Sequence, residues 1–188
     1  MIYKYLLLSV CLSFSLSCDA PEATKEKTVA AQVGQDEMPE QKLAALGISL
    51  PEAATPMANY VNAVQTGQLM FLAGKGPKKA DGTYIQGKLG QDLTIEEGYE
   101  AARVTAINQL AVLKAELGDL SKVKRIVKVK GMVNAVPDFT SHPAVINGYS
   151  DLMVAVFGEA GKHARAAVGM GSLPSNIAVE IEMVVEIE

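Results

Sequence analysis

The carboxy-terminal stretch, residues 163–188, constrains the fold of this chain most strongly. From Ile177 to Val185 apolar residues recur at every second position, and a period of two predicts a strand with one buried face. The small and apolar residues 164–170 predict another strand before it, and Leu173-Pro174-Ser175-Asn176 breaks the chain between the two. The chain therefore ends in two strands of a sheet, which needs further elements to cover its apolar face.

Two charged residues lie within these strands. Arg165 is near the start of the first strand, and Glu180 is inside the second. An arginine at a strand start is often a solvated edge charge, and glutamates in an alternating strand mark its solvent face. Periodicity alone therefore assigns neither residue to a site.

The rest of the chain supplies partners for the two strands. Residues 59–65 and 68–73 predict a hairpin. Thr94 and Glu97 form a capping-box pattern that predicts a helix ending before Gly118. A strand over residues 123–136 and a helix over residues 140–157 follow. This order predicts an α+β fold, with a mixed β-sheet and two helices packed on one face.

The sequence has one basic cluster, in and just before the predicted strand over residues 123–136. Its members are Lys122, Lys124, Arg125, Lys128 and Lys130. The alternation of this strand places Ile126 on the same face as Lys124, Lys128 and Lys130. No aromatic stacking platform accompanies these lysines, so a solvated strand face is the simpler interpretation. The net charge of the whole chain is −4, which gives no general attraction to phosphate backbones. We therefore predict no nucleic-acid partner.

Length and residue usage indicate one domain without a metal. The chain has 188 residues, of which 49% are apolar, enough for a hydrophobic core. Its two cysteines, Cys11 and Cys18, precede the folded part, and its two histidines are His142 and His163. This set lacks the usual ligands of a zinc site. We predict neither a metal nor a cofactor.

The amino-terminal segment predicts export. Residues 1–17 combine one positive charge, an apolar stretch and small residues, the layout of a signal peptide. Ordinary cleavage after Ser17 and lipoprotein processing with acylation of Cys18 both fit this segment. Residues 18–40 are polar, so we predict a flexible linker before a domain at residues 41–188. The expected location is the periplasm, with membrane contact only through a lipid on Cys18.

Several short sequences near the carboxy terminus match a known family. They are Arg165-x-x-Val168, Leu173-Pro174 and Val179-Glu180-Ile181-Glu182, with the longer runs 147–152 and 157–165 before them. Together they resemble the RidA/YjgF family of reactive intermediate deaminases, once labelled endoribonuclease L-PSP, in one of its less characterised branches. The resemblance extends in register from about Lys42 to the end of the chain. It implies the chorismate-mutase-like fold and a homotrimer with ligand clefts between subunits.

The resemblance also implies an activity and a site. The family's enzymes hydrolyse enamines and imines, such as 2-aminoacrylate and its imine, to 2-keto acids and ammonia. By this resemblance Arg165 binds the substrate carboxylate, and Glu180 orients or deprotonates the attacking water. Four further positions are implied to bind the substrate or the water: Tyr60, Gly74, Asn147 and Ala167. His163 is outside this predicted set.

Two positions depart from the deaminase pattern. Ala73 stands where the deaminases commonly have Ser, and Ala167 where they commonly have Cys. One hydroxyl donor near the substrate is therefore missing. A non-catalytic module that binds a small carboxylate on Arg165 is an alternative function. Ribonuclease activity, implied only by the old family label, is a third, and the net negative charge argues against it.

Overall fold

The computed structural model describes residues 38–56 and 58–188. Three α-helices and five strands follow in the order α1 (Pro39–Ala45), β1 (Ala63–Thr66), β2 (Leu69–Lys75), α2 (Ile95–Leu117), β3 (Val123–Asn134), α3 (His142–Phe157), β4 (Ala164–Met170) and β5 (Val179–Ile187). Short 3-10 turns occupy Leu120–Lys122, Gly158–Gly161 and Pro174–Asn176. The predicted α+β class is confirmed.

The five strands form one mixed sheet in the order β1-β2-β5-β3-β4. β3 and β4 are parallel, and the other neighbours are antiparallel. The parallel pair needs a crossover, which α3 provides. β5 lies at the centre, and its alternation is confirmed because Val179, Ile181, Met183 and Val185 are all buried. The last strand of the chain therefore joins the hairpin β1-β2 to the pair β3-β4.

The helix α2 begins and ends where the sequence predicts. The Glu97 amide donates to Thr94 Oγ1 (3.2 Å), and the Thr94 amide donates to Glu97 Oε2 (2.8 Å), which completes a capping box. Gly118 ends the helix with a φ of 76°, a left-handed conformation that glycine adopts without strain. The predicted apolar stripe is fully buried at its centre: Ala102, Ala106, Leu110 and Leu113. α2 is thus a core helix, as expected.

β3 departs from its predicted alternation at two places, between Val123 and Arg125 and at Ile126. We expected Ile126 on the face that carries the lysines, but Ile126 is buried in the core. The pairing with β5 shifts there, since Ile126 lies opposite Val185 and Lys128 lies opposite Val184. The extra residue, Val127, forms a bulge. Because of this bulge, Ile126 points to the face of the sheet opposite to the one that strict alternation predicts. A strict period of two was therefore the wrong description of this strand.

Element boundaries differ from the expected ones by a few residues. β1 begins at Ala63 rather than at residue 59, and α3 begins at His142 rather than at residue 140. β3 ends at Asn134, two residues early, and the next residue forms only an isolated bridge with Leu89. Such differences at strand and helix ends are ordinary. They leave the order of elements unchanged.

α1 begins at Pro39, so the last two residues that we expected in the linker belong to the folded part. The Glu40 Oε1 atom accepts from Lys114 Nζ (2.7 Å) and from the Leu120 amide (2.9 Å), which ties α1 to the end of α2. The predicted signal peptide, Cys18 and the remaining linker lie outside the described residues. Within residues 38–188, Met57 aside, no helix has the length and apolar character needed to cross a bilayer.

The sheet has two different faces. Its helix face is covered by α2 and α3, and the buried residues of β5 point to it. We call the opposite side the open face. Three apolar side chains on it are exposed, namely Val64 (57%), Phe71 (45%) and Val168 (40%). Val64 pairs with Phe71 across β1 and β2, and Phe71 pairs with Val184 of β5, so an apolar row crosses three strands.

Candidate functional site

Arg165 lies in β4, at the edge of the sheet, and points to the helix face. It pairs with the buried residue Val129 of β3, and paired residues of neighbouring strands share a face. Its Nη1 atom donates to Asn147 Oδ1 (2.9 Å) and to Ser150 Oγ (3.0 Å). Asn147 and Ser150 lie on one side of α3 because they are three residues apart. Nε and Nη2 donate to none of the described residues, so one edge of the guanidinium is open to a ligand.

Ser150 connects Arg165 to His163. The Ser150 Oγ atom lies 3.1 Å from Nε2 of His163, and Nδ1 of that ring lies 2.7 Å from the carbonyl oxygen of Gly161. Because a carbonyl oxygen only accepts, Nδ1 carries the proton, and the neutral ring accepts from Ser150 at Nε2. Burial lowers the pKa of His163, the Gly161 carbonyl opposes this, and the charge of Arg165 lowers it further. The neutral ring thus orients the Ser150 hydroxyl so that its oxygen accepts from Arg165.

Glu180 lies in β5 on the open face. Its side chain leans over Gly74 of β2, where an added Cβ would overlap Oε1 of Glu180 and lie 3.1 Å from its Cγ. Glycine at position 74 therefore leaves the space that the carboxylate occupies. Burial and then the negative charge of Glu182 raise the pKa of Glu180, and the charge of Lys130 lowers it. A carboxylate with a raised pKa is a better proton acceptor near neutral pH.

Gln109, which the sequence patterns did not single out, holds the backbone beside Gly74. It is fully buried on α2, and its Nε2 atom donates to the carbonyl oxygens of Ile181 (2.7 Å) and Ala73 (3.3 Å). At this point the pairing of β2 with β5 shifts, so Gln109 ties together the bulge that carries Gly74. Its Oε1 atom is buried without a partner among the described residues. The sequence did contain a signal for this role, because a glutamine lies within the apolar stripe that was predicted for α2.

The other predicted residues form fewer side-chain contacts. Tyr60 precedes β1 and is 50% exposed, and its hydroxyl group forms no hydrogen bond with the described residues. Ala167 lies two residues after Arg165 in β4, pairs with Gly131 and packs against the core. The Ala73 amide donates to the carbonyl oxygen of Asn62 (2.9 Å). Neither alanine brings a polar side chain to the site.

Four of the predicted site residues, together with Ser150 and His163, form two groups in one subunit. The arginine group contains Arg165, Asn147, Ser150 and His163, and the glutamate group contains Glu180 and Gly74. β3 lies between β4 and β5, and Arg165 pairs with Val129 whereas Glu180 pairs with Met132. The two residues are therefore offset by about 10 Å along the strands and about 10 Å across them. They also point to opposite faces of the sheet, so one subunit does not contain a single cleft with both.

The two groups can perform two kinds of chemistry. The free guanidinium edge of Arg165 can bind a carboxylate through two parallel hydrogen bonds. Glu180 can accept a proton from water. Within the part of the chain that the structure describes, no three His, Cys, Asp or Glu side chains cluster closely enough to hold a metal ion.

Comparison with known proteins identifies relatives of the whole folded part. Residues 40–187 match the model of the YjgF/chorismate-mutase-like family, whose description adds the name endoribonuclease. The chain is 47% identical over 143 residues to protein TCP17 of Trypanosoma cruzi, and the aligned region covers 76% of this chain and 89% of TCP17. It is 32% identical over 142 residues to a 2-iminobutanoate/2-iminopropanoate deaminase of Dermatophagoides farinae, and the aligned region covers 75% of this chain and 95% of the deaminase.

A solved structure agrees with these matches. The crystal structure of a protein of unknown function from Agrobacterium tumefaciens is 44% identical, with a TM-score of 0.75 over 80% of this chain and 92% of that chain. The family match runs from α1 to β5, and the sheet with helices on one face is the fold that the resemblance implies. The chain therefore belongs to the RidA/YjgF family.

Proposed function

We propose that this protein is an exported deaminase that hydrolyses small 2-imino acids and their enamine tautomers to 2-keto acids and ammonia. The observation that carries the proposal is the Arg165 guanidinium, held on one side by Asn147 and Ser150 with its other edge open. The similarity to a 2-iminobutanoate/2-iminopropanoate deaminase supports the same reaction class.

Arg165 binds the carboxylate of the substrate in this proposal. Its side chain is positioned before the substrate arrives, because two oxygens of α3 already accept from Nη1. Nε and Nη2 then face the two carboxylate oxygens as a planar pair of donors, and the charge is permanent. Lysine offers neither the planar pair nor the second set of donors that Asn147 and Ser150 bind.

Glu180 acts as the general base on water. It takes one proton from a water molecule while the oxygen adds to the carbon of the protonated imine, which gives a neutral carbinolamine and protonated Glu180. Protonated Glu180 then gives its proton to the carbinolamine nitrogen, and the C–N bond breaks. Ammonia leaves as the carbonyl forms, and the Glu180 carboxylate takes the hydroxyl proton and releases it to solvent. Water and imine thus become ketone and ammonia without any oxidant. The raised pKa of Glu180 suits these transfers.

The two groups meet between subunits of a homotrimer in this proposal. One subunit contributes Arg165 and Asn147, and its neighbour contributes Glu180, Gly74 and Tyr60. Two observations support this arrangement. The two groups lie on opposite faces of one sheet, and the open face carries exposed apolar side chains that a neighbouring subunit can cover. A ring of three subunits joined by identical contacts would bring Arg165 of one subunit to Glu180 of the next and would cover the exposed apolar side chains.

The proposal includes a periplasmic location, with either a free protein or one anchored by a lipid on Cys18. The substrate then comes from reactions that form imines outside the inner membrane, such as amino-acid oxidation. Cell fractionation with a Cys18→Ser variant distinguishes the two forms: an acylated protein moves from the membrane fraction to the soluble fraction in this variant, whereas a free protein is soluble with either residue. Identical distributions of the two proteins would exclude acylation.

Ammonia release tests the activity. An amino-acid oxidase generates imino acids in situ, and we expect the purified protein to accelerate their conversion to ammonia and 2-keto acid. Arg165→Ala should lower kcat/KM on the order of a hundredfold or more, because the lost carboxylate contact also orients the substrate. Arg125→Ala is the matched control, since Arg125 is an exposed arginine on the neighbouring strand β3. Equal rates with and without the protein would refute the proposal.

A non-catalytic carboxylate-binding module is the second candidate. Ala73 and Ala167 favour it, because neither brings a polar side chain beside the substrate position. It predicts that pyruvate or 2-ketobutyrate raises the melting temperature through Arg165 while no imine is turned over. Equal stabilisation of the Arg165→Ala variant would rule it out.

A further inference from the structure

A cavity of about 470 Å³ lies on the helix face of the sheet, beside the end of β2. We call it the lysine pocket. One wall is the segment before β1, residues 49–54, and the second is the loop after β2. The third wall is α2, through three apolar side chains: Val104, Ile107 and Val112. Its volume is in the range of pockets that bind small molecules.

The lysine pocket is separate from both groups of the proposed deaminase site. Gly74 faces Glu180 on the open face, whereas the next residue, Lys75, pairs with Ile181. Ile181 is fully buried on the helix face, so Lys75 points to the side that α2 covers. Arg165 lies in β4, three strands away from β2 in the sheet order. A ligand in the pocket therefore does not contact Arg165 of the same subunit.

Lys75 is the charged residue of the pocket lining that is partly buried, whereas the other charged lining residues are exposed. Its Nζ atom donates to Asn62 Oδ1 (2.6 Å), which uses one of three donors. It forms no ion pair with any residue in 38–56 or 58–188. Burial lowers the pKa of Lys75, because the ammonium has lost solvent without gaining a carboxylate. An incoming anion would replace that lost solvation.

The other polar groups of the pocket add to the positive charge of one wall. Lys78 and Lys79 also line it, although Lys79 Nζ lies 3.8 Å from Asp81. One carboxylate residue, Glu52, belongs to the wall formed by residues 49–54. Asn108 of α2 holds the loop in place, because its Nδ2 atom donates to the carbonyl oxygens of Gly76 (3.2 Å) and Lys78 (3.0 Å). The pocket thus combines a cationic wall with an apolar wall.

We propose that the lysine pocket binds a monocarboxylate with an apolar body, with the carboxylate on Lys75 and the body against Val104, Ile107 and Val112. The pocket places a positive charge next to apolar surface, so it favours such a monocarboxylate over a phosphate ion, which has no apolar part to pack against α2. It also selects against an uncharged compound, which would leave the Lys75 ammonium without an anionic partner. The inference is independent of the deaminase activity, because no residue of either group contributes to it.

Isothermal titration with 4-phenylbutyrate tests the proposal. The purified protein should bind it saturably, whereas 4-phenylbutanol, which lacks the charge, and acetate, which lacks the body, should bind at least about tenfold more weakly. Lys75→Gln keeps a donor for Asn62 but removes the charge, and should weaken binding by on the order of tenfold or more. Lys122→Gln, at an exposed lysine of the 3-10 turn before β3, is the matched control and should bind normally.

Arg165→Ala separates this pocket from the proposed deaminase site. We expect the variant to bind 4-phenylbutyrate with unchanged affinity even though it has lost deaminase activity. Binding that is lost in Arg165→Ala but retained in Lys75→Gln would overturn the proposal, since the ligand would then occupy the arginine group. Absence of saturable binding at millimolar concentration would overturn it as well.

Discussion

Glu180 illustrates how neighbouring charges set the chemistry of one residue. Burial raises its pKa most, Glu182 raises it further across two positions of β5, and Lys130 of the neighbouring strand lowers it. A carboxyl group whose folded pKa is raised contributes stability at low pH, and this contribution is lost as the pH rises through the folded pKa. In the proposed reaction, the same raised pKa favours the return of a proton from Glu180 to the leaving nitrogen.

Glu182→Gln should move the acid limb of the pH–rate profile to lower pH. The substitution removes a negative charge that raises the pKa of Glu180, so Glu180 loses its proton at lower pH and becomes an active base there. Lys130→Met removes the charge that lowers this pKa and should move the limb to higher pH. The measurement is kcat/KM for imine hydrolysis between about pH 4 and pH 8. Shifts in the same direction for both variants would exclude Glu180 as the titrating base.

At the scale of elements, the bulge in β2 determines where Gly74 and Glu180 lie. The pairing of β2 with β5 shifts between Leu72 and Lys75, so Gly74 faces Glu180 on the open face while Lys75 faces α2. Gln109 reaches from α2 to the carbonyl oxygens on both strands at this point. One helix side chain therefore supports the proposed deaminase site on one face and the lysine pocket on the other.

Gly74→Ala should leave the protein folded and lower its activity. The added Cβ would overlap the end of the flexible Glu180 side chain rather than the backbone, so the carboxylate moves and the sheet is kept. Displacement of a catalytic group by about 1 Å costs on the order of a hundredfold in rate. The measurement is kcat/KM together with the melting temperature.

Gly171→Ala provides the control for that substitution. Gly171 has open space around its Cβ position and lies outside the left-handed region, so an alanine there should change neither activity nor stability. Full activity of Gly74→Ala would contradict the placement of Glu180 over Gly74 as a requirement for catalysis.

At the scale of the whole molecule, the separation of the two groups makes assembly part of the proposed function. Arg165 and Glu180 point to opposite faces of one sheet. The exposed row on the open face includes Val64 and Phe71, apolar surface that a neighbouring subunit would bury. A monomer would then be folded and inactive.

Mixing two inactive variants tests this arrangement. Arg165→Ala subunits supply Glu180, and Glu180→Gln subunits supply Arg165, so a mixed trimer contains one intact cleft. Co-refolding equal amounts should make roughly three quarters of the trimers mixed and restore about a quarter of the unmodified rate. The measurement is ammonia release, with each variant refolded alone as the control. An inactive mixture in which mixed trimers are demonstrated by mass spectrometry would show that the site is not shared in this way.

Local sequence determined those elements whose signals lie within a few residues of each other. The Thr94 capping box, the Gly118 stop and the alternation of β5 all depend on neighbouring residues, and all three are confirmed. The motifs around Arg165 and Glu180 similarly indicated the family. Both residues were found by resemblance, since periodicity would have left them as solvated charges.

Tertiary structure alone decided the bulges, the facing of side chains and the partners of the site residues. Ile126 is buried because β5, far along the chain, pairs with β3 in a shifted register. Gln109 and Ser150 acquire their roles only when α2 and α3 pack beside Ile181 and Arg165. Register and packing depend on contacts between distant segments, which no local pattern encodes. For this reason the sequence identified Arg165 and Glu180, but only the register of β3 with β4 and β5 placed them on opposite faces of the sheet.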